Sequence, residues 1–385
     1  MKVRICEVLE VLISCSEKGA NIARIIRSES ALLQLLVEEK TGDQKNERFV
    51  QDFKTLADVL VQEMVRYELS RKYPEIAARV HGEESNKFTN VLGEAVTVEI
   101  KENKGETISL LSTVLDGNEE AVELLSNVIH TDVSIDCGEE CHQLQAEIDI
   151  SDIGVWIDPI DSTAQYIQGQ TGFMTGHGMV QKGLQCVAVL IGVYDLHTGL
   201  PIIGIANQPF WQIQPKTERW NGQITWGVCF GDIKAHSKME EVKKESESKP
   251  ILLMSTSEKK EIKESFGGAF NLQYAAGAGY KLLCVAQDLA DAYLLSKDTV
   301  FKWDSCGLHA ILRSLGGGLL TYSRVLDLAR QGKDLGKSDL SSCEVLYNTP
   351  AEEGTQVSQF CNKGGMIAYH DFNVLKTVFR ELEKF

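Results

Sequence analysis

The chain lacks long apolar runs and has no excess of basic charge. No stretch reaches the 18 or so apolar residues of a transmembrane helix, so no membrane segment is expected. Lys and Arg total 39 against 55 Asp and Glu, which gives a formal net charge of −16. Nucleic acids and anionic membranes bind net basic surfaces, so neither is an expected partner. Glu7 and Glu10 interrupt the first apolar residues, and no secretory leader is expected.

The chain also lacks a paired-cysteine metal motif. Its 10 cysteines are scattered, which is typical of reduced thiols in a cytoplasmic protein. Cys137-Gly-Glu-Glu-Cys141-His142 resembles a metal clip, but no second pair of CxxC type accompanies it. A plain surface loop is therefore the interpretation favoured for this segment.

The length and the order of elements predict an α/β (α+β) protein of two lobes. A chain of 385 residues exceeds what one core usually holds. We place an N-terminal α+β lobe at 1–230, a charged loop or linker at 231–250 and a C-terminal α/β lobe at 251–385. In the second lobe helices and strands alternate, which favours an α/β layer.

Local patterns predict individual elements within these lobes. Apolar spacing over residues 5 to about 40 predicts two helices, with Gly19 and residues 28–30 as weak points. Residues 51–69 fit either one continuous helix or a short strand ending at Ala57, and we favour the strand with Asp58 as N-cap of a following helix. Residues 186–210 predict a β-hairpin.

Two acids end an apolar run in the stretch WIDPIDSTAQYI, residues 156–167. Pro159 predicts that the strand stops and turns there, and Asp161, Ser162 and Thr163 are all N-cap formers. Asp158 and Asp161 would then emerge at one point, beside helical N–H groups that favour an anion. A capped turn without further function explains this motif alone equally well.

Further acids stand at strand ends or helix starts elsewhere in the chain. Glu83 and Glu84 follow Gly82, Asp58 lies at a predicted helix start, and Asp304 follows an aromatic strand end. Carboxylates that converge repel one another unless a cation joins them, and oxygen ligands with few His or Cys select a hard ion such as Mg²⁺. Mg²⁺ in turn favours a phosphate ester as substrate, since it is held by few carboxylates together with water and phosphate.

Three segments together resemble the signatures of a known family. HGEESN (81–86), WIDPIDSTAQYI and WDSCGLHAILRSLGGG (303–318) are similar to those of the magnesium-dependent, lithium-sensitive phosphomonoesterases of the inositol monophosphatase and fructose-1,6-bisphosphatase type. The resemblance extends from about residue 16 to about residue 369. It implies a layered α-β-α-β-α sandwich in two lobes with metals at their junction.

The resemblance is greatest to the branch that removes the 1-phosphate of inositol polyphosphates. Ser162 stands where most relatives have Gly, and DFKTLADVLVQE, STSEKK and GAGYK point the same way. This branch implies hydrolysis of inositol 1,4-bisphosphate and inositol 1,3,4-trisphosphate in phosphatidylinositol signalling. A 3′(2′),5′-bisphosphate nucleotidase is the alternative of the same chemistry, and a catalytically silent binding protein with this fold is the alternative of another class.

The resemblance also implies roles for individual residues. The implied metal ligands are Asp58, Glu83, Glu84, Asp158, the carbonyl of Ile160, Asp161 and Asp304. The implied pair that orients and deprotonates the attacking water is Asp58 with Thr163. The implied substrate contacts are Asp161, Ser162, Thr163, Ser257, Lys259, Gly277 and Lys281. The resemblance further implies two or three Mg²⁺ ions as cofactor and Li⁺ as inhibitor. It also implies a cytoplasmic monomer that acts on a small inositol polyphosphate.

Overall fold

Two β-sheets form the frame of the computed structural model. It describes residues 1–28, 37–40, 53–89, 95–115, 118–239, 249–332, 336–348 and 358–385. The strands are β1 Lys2–Arg4, β2 Val37–Glu39, β3 Phe53–Thr55, β4 Val80–Gly82, β5 Lys87–Thr89, β6 Ala95–Thr97, β7 Glu147–Asp149, β8 Ile153–Asp161, β9 Ala188–Asp195, β10 Pro201–Ile213, β11 Trp220–Phe230, β12 Ile233–His236, β13 Ile251–Met254, β14 Asn271–Tyr274, β15 Ala292–Leu295, β16 Gly318–Thr321 and β17 Met366–Tyr369.

Helices cover both faces of these sheets. The α-helices are α1 Ile5–Ser28, α2 Leu56–Lys72, α3 Lys104–Val114, α4 Glu119–His130, α5 Glu139–His142, α6 Thr163–Gln168, α7 Lys260–Phe266, α8 Ala278–Ala286, α9 Lys302–Ser314, α10 Tyr322–Arg330, α11 Lys337–Cys343 and α12 Phe372–Leu382. Within the described ranges, no helix is both long and apolar enough to cross a bilayer.

The first sheet has six strands in the order β12-β11-β10-β9-β8-β4. Only β4 and β8 run parallel, and the other neighbours are antiparallel. The second sheet has five strands in the order β14-β13-β15-β17-β16. Here β14, β13 and β15 run parallel, so the loops that follow them emerge at one edge.

The two sheets divide the apolar residues into three cores, because successive side chains of a strand point to opposite faces of its sheet. Ile157, Ile191 and Ile205 face α1 and α2, whereas Leu190 faces α8 and α9 between the sheets. Likewise, odd and even positions of β13 divide between this central core and an outer one with α7, α10 and α12. The layers are therefore α-β-α-β-α, as predicted.

Helix α9 packs unusually close to the first sheet. A β-carbon at Gly204 would lie 1.7 Å from the carbonyl oxygen of Gly307, and one at Gly192 would lie 2.4 Å from the backbone nitrogen of Gly307. Only glycine permits this approach. Because Asp304 lies one turn before Gly307, this contact brings its carboxylate to the end of β8.

Several local predictions differ from the structure. Helix α1 is continuous through Gly19. A β-carbon at Gly19 would lie 2.9 Å from a methyl carbon of Val61 in α2, so this glycine allows the two helices to pack closely and does not end α1. The second helix predicted before residue 40 falls partly on 29–36, outside the described residues. Thr55, not Asp58, is the N-cap of α2; Asp58 is the third helical residue and completes a capping box.

The hairpin predicted over 186–210 is confirmed as β9 and β10. The proposed division at 231–250 stays a prediction. Residues 233–236 within it form β12 at the edge of the first sheet, which differs from a loop, and residues 240–248 lie outside the described ranges.

Candidate active site

Three carboxylates meet where β8 ends against the first turn of α9. Oxygen atoms of Asp158, Asp161 and Asp304 lie within 4.8 Å of one another. The strand continues through Pro159, contrary to the predicted stop, but its pairing with β9 shifts register between Asp158 and Asp161. This bulge lets two acids three positions apart share one face with Asp304.

The cluster is buried and electrostatically strained. Asp158 is 1% exposed and Asp161 5%. Burial is the largest cause that raises the pKa of Asp158 and of Asp304 well above the ordinary range, and neighbouring carboxylates raise both further. Burial also raises the pKa of Asp161 to about 6, with backbone N–H groups opposing it.

A bound cation fits this donor set. Among the residues that the structure describes, Asp158 Oδ1 is buried without a hydrogen-bond donor. An acceptor left in this state is costly, and converging oxygen ligands without a thiolate or imidazole are the set that a hard divalent ion prefers. The structure thus brings together Asp158, Asp161 and Asp304, three of the predicted metal ligands, and their binding of a metal stays a prediction.

Two of these carboxylates are held in place by backbone donors. Phe301 N donates to Asp304 Oδ2 at 2.5 Å, an N-terminal capping contact of α9. The first turn of α8 donates to Asp161, from Gly279 N at 3.3 Å and from Tyr280 N at 3.2 Å. Backbone donors therefore orient both carboxylates.

Asp58 and Thr163 also meet at this cluster. Thr55 donates to Asp58 Oδ2 from its backbone nitrogen and its hydroxyl, both at 2.6 Å. The other oxygen of Asp58 lies 3.5 Å from Thr163 Oγ1, which also donates to the carbonyl of Ile160 at 3.0 Å. Burial is the main cause that raises the pKa of Asp58 to about 7. A carboxylate with this pKa can accept a proton near neutral pH.

Glu83 and Glu84 lie on the loop that follows β4 and share a lysine. Lys40 Nζ lies 2.8 Å from Glu83 Oε1 and 2.6 Å from Glu84 Oε1. Gln62 holds the loop, since it accepts from the Glu84 nitrogen and donates to the Glu84 carbonyl. Burial raises the pKa of Glu84 to about 8. Sequence reasoning missed both Lys40 and Gln62, because neither belongs to an acidic motif.

Ser162 occupies the N-cap position of α6, as predicted, but makes no side-chain capping bond. Its φ is 72°, in the left-handed region that favours glycine. Its hydroxyl instead donates to Asp161 Oδ2 at 3.2 Å. The hydroxyl thus points toward the carboxylate cluster rather than along the helix.

Gly277 and Lys281 lie against the same cluster. A β-carbon at Gly277 would be 2.2 Å from Ser162 Oγ and 2.9 Å from Asp161 Oδ2. Lys281 is buried, and its ammonium donates to the carbonyls of Ala275 and Gly277 at 3.1 and 2.6 Å. Burial lowers its pKa, although Asp161 opposes that shift. Lys281 therefore closes the loop before α8 and adds positive charge beside Asp161.

Ser257 and Lys259 lie on the neighbouring loop after β13 and are exposed. Within the described part of the chain, neither side chain is hydrogen-bonded to the carboxylate cluster, so their role in binding stays a prediction. Buried Glu258 between them was missed by the sequence reasoning. It accepts from Ser296 N at 3.0 Å, from Ser296 Oγ at 2.5 Å and from Lys259 N at 3.0 Å. Glu258 therefore ties together the loops that follow β13 and β15.

Solved structures of low sequence identity share this fold. The extragenic suppressor protein suhB from Bartonella henselae aligns over 98% of this chain and 99% of its own, with a TM-score of 0.52 and 13% identity. A Thermotoga maritima IMPase aligns over 98% and 97%, with a TM-score of 0.51 and 10% identity. The predicted fold class is thereby confirmed.

Sequence relatives identify the family. The inositol polyphosphate 1-phosphatase of Mus musculus is 44% identical over 98% of this chain and 97% of its own length. That of Homo sapiens is 42% identical over 96% of each. A 3′(2′),5′-bisphosphate nucleotidase 1 of Rattus norvegicus is 26% identical over 80% of each. The predicted resemblance and the predicted class, a phosphoric monoester hydrolase, are confirmed. Residues 8–359 match the inositol monophosphatase family, and the chain belongs to that family.

Proposed function

We propose that this protein is a Mg²⁺-dependent phosphatase that removes the 1-phosphate from inositol 1,4-bisphosphate and inositol 1,3,4-trisphosphate, and that Li⁺ inhibits it. The main support for the proposal is that carboxylate oxygens of Asp158, Asp161 and Asp304 lie close together, beside the Asp58–Thr163 pair. The names of the relatives with 42–44% identity support the choice of substrate.

The residues that would hold the ions are the acids of the cluster. Asp158, Asp161 and Asp304 offer converging oxygens, and Glu83, Glu84, Asp58 and the carbonyl of Ile160 complete the proposed set. When bound, Mg²⁺ lowers the pKa of water and stabilises the charge that develops on phosphoryl oxygens. The rest of the chemistry falls to side chains of this chain.

Thr163 is proposed to orient the attacking water and Asp58 to receive its proton. A threonine hydroxyl is a weak base by itself, so it must pass a proton onward. Asp58 Oδ1 lies 3.5 Å away, while two bonds from Thr55 fix the other oxygen and hence the direction of the carboxylate. In the metal-free chain burial raises the pKa of Asp58 to about 7.

The substrate's remaining phosphates are proposed to contact the loops at the edge of the second sheet. Ser257 and Lys259 stand on the loop that follows β13, and Lys281 lies at the start of α8, the helix that follows β14. Lysine presents a compact positive charge suited to phosphate. These charges and the ions would reverse the sign of the −16 chain locally, while screening limits its repulsion beyond about 8–10 Å.

A substrate panel tests the proposal. Phosphate release is measured from inositol 1,4-bisphosphate, inositol 1,3,4-trisphosphate and adenosine 3′,5′-bisphosphate while Mg²⁺ and Li⁺ are varied, and the product isomer is assigned by NMR. We expect turnover of the two inositol phosphates at the 1-position, no turnover in chelator, and uncompetitive inhibition by millimolar Li⁺. Preferred turnover of adenosine 3′,5′-bisphosphate would instead identify a nucleotidase.

A further inference from the structure

We propose that a second metal site of different chemistry joins α1 to α5, and that it binds a tetrahedral divalent ion of borderline softness such as Zn²⁺. Its ligands are Glu10, Cys137, Cys141 and His142. The segment 137–142 was predicted to be a plain surface loop; Glu139, Glu140 and His142 are indeed exposed, but residues 139–142 form a short helix and both cysteines are buried. Cys137 is 9% exposed and Cys141 is fully buried, and both pack beneath α1.

Three donor groups converge at this place, and His142 lies beside two of them. Ligand atoms of Glu10, Cys137 and Cys141 lie within 4.8 Å of one another. His142 Nε2 lies 3.6 Å from Cys137 Sγ and 3.8 Å from Glu10 Oε1, and Cys137 Sγ lies 3.9 Å from the same Glu10 oxygen. Glu10 and Cys137 are therefore close both to the Cys141 sulfur and to the imidazole of His142.

These separations are close to those of a filled zinc site. Zinc bonds of about 2.0–2.3 Å in tetrahedral geometry place neighbouring ligand atoms about 3.3–3.8 Å apart. The distances of 3.6 Å and 3.8 Å lie within that range, and the distance of 3.9 Å lies just beyond it. The single turn of α5 supplies Cys141 and His142 from adjacent positions, while Gly138, with a φ of 87°, turns the chain so that Cys137 meets them.

The donor set separates this site from the carboxylate cluster. Thiolates and imidazole select Zn²⁺ over Mg²⁺, whereas carboxylates alone select Mg²⁺. Side chains of Glu10 and His142 are 47% and 57% exposed, so an ion can enter from solvent, and the two cysteines close the site from below. Since α5 lies on the path from α4 to β7, a bound ion would tie this connection to α1.

Cobalt absorption tests the site directly. The full-length protein, treated with chelator and kept reduced, is saturated with Mg²⁺ and then titrated with Co²⁺. We expect one equivalent to give a thiolate-to-cobalt charge-transfer band and intense tetrahedral d–d bands, which Zn²⁺ then abolishes by displacement. Co²⁺ in the carboxylate cluster has no thiolate ligand and cannot give the charge-transfer band.

Variants assign the ligands. C137S should remove much of the charge-transfer intensity, and H142Q and E10Q, at exposed positions, should weaken Co²⁺ binding at least about tenfold. E139Q, an exposed acid in the same turn, and C343S, a buried cysteine of the other sheet's outer core, are matched controls that should change neither quantity. Zn²⁺ should raise the melting temperatures of the wild type and of E139Q, and it should raise that of H142Q by less.

Three outcomes would overturn the site. One is the absence of a charge-transfer band at any Co²⁺ concentration. Another is a band that survives in C137S at full intensity while C343S removes it. The third is a Cys137–Cys141 disulfide in the reduced preparation, detected by intact mass.

Discussion

Thr163 Oγ1 lies 3.5 Å from Asp58 Oδ1, although 105 positions separate the two residues. Thr163 begins α6 directly after β8, and Asp58 belongs to the first turn of α2. The contact therefore joins a helix on the outer layer to the end of a central strand. It places a hydroxyl and its proton acceptor beside the acids proposed to hold the ions.

Replacing Thr163 by Ala should lower kcat by about 10²–10⁴-fold, the usual contribution of a positioned acid–base group, and should leave KM for the substrate largely unchanged. D58N should have a similar effect, and the double variant should be little worse than either single one, because the two residues act as one unit. T163S, which keeps the hydroxyl, should retain most activity. Losses that multiply in the double variant would show that the pair does not share one step.

Asp158→Asn should abolish the stabilisation that Mg²⁺ gives, because it removes a ligand oxygen from the cluster. Phosphatase activity should fall by about 10²-fold or more, since a bound metal contributes several kcal/mol to transition-state stabilisation. In chelator, the melting temperature should equal or exceed that of the wild type, because a buried acid among like charges is replaced by a neutral amide. Asp232→Asn, at an exposed turn, is the matched control.

A lower melting temperature of D158N in chelator, with the Mg²⁺ increase intact, would show that Asp158 is a structural residue rather than a ligand. Differential scanning fluorimetry with and without Mg²⁺ separates the two cases.

The metal-free protein should become less stable as the pH rises from about 4 to about 8. Burial raises the pKa of Asp161 to about 6, of Asp58 to about 7 and of Glu84 to about 8 in the folded chain. Unfolded carboxyls titrate near pH 4, so over this range the folded state holds more protons than the unfolded state. Stability must then fall with rising pH.

Mg²⁺ should reverse this trend, since the ion competes with protons for the same oxygens. Urea titrations at pH 5.5, 6.5 and 7.5, with chelator or Mg²⁺, measure the free energy of unfolding in each state. Metal-free stability that rises across these values would contradict the assignment of raised pKa values to the cluster.

The acids of this site could be predicted from sequence because each stands at the end of a local pattern. Asp158 and Asp161 follow an apolar run, and Asp304 lies at the start of a helix with a glycine stop. What the patterns omit are contacts between distant segments. Lys40 pairs with Glu83, 43 positions away, and with the adjacent Glu84, and no feature of its surrounding sequence distinguishes it from an exposed lysine.

The cysteine segment was misinterpreted for a related reason. Its acids and polar residues suggest exposure, but burial there depends on α1, more than 100 positions earlier, which covers Cys137 and Cys141. Pro159 gave a different error, because it predicted an end of the strand at a position where β8 continues. It stays within β8 because a bulge removes the need for a regular ladder hydrogen bond at that point.

Gly277→Ala should reduce both stability and activity. The left-handed φ of 79° would cost an alanine about 1–2 kcal/mol, and its β-carbon would displace the Ser162 hydroxyl and the Asp161 carboxylate. The activity loss should exceed what the lower stability explains when both are measured well below the melting temperature. Gly268→Ala is the control, since a β-carbon there meets no atom within 4 Å. Equal effects of the two substitutions on activity would argue against a role of Gly277 in the site.

Glu258→Gln should raise KM for inositol polyphosphates several-fold and leave kcat nearly unchanged. The buried carboxylate accepts bonds from Ser296 and from the Lys259 nitrogen, so it holds the loop that carries Ser257 and Lys259 without touching the proposed catalytic acids. Weakening a buried, charged acceptor costs about 1–3 kcal/mol and should loosen that loop.

Glu261→Gln, at an exposed position of α7, is the matched control and should behave as wild type. Steady-state kinetics with inositol 1,4-bisphosphate at saturating Mg²⁺ measures the two constants separately. A fall in kcat at constant KM would instead place Glu258 in the chemical step, and unchanged kinetics would remove the loop after β13 from the proposed substrate site.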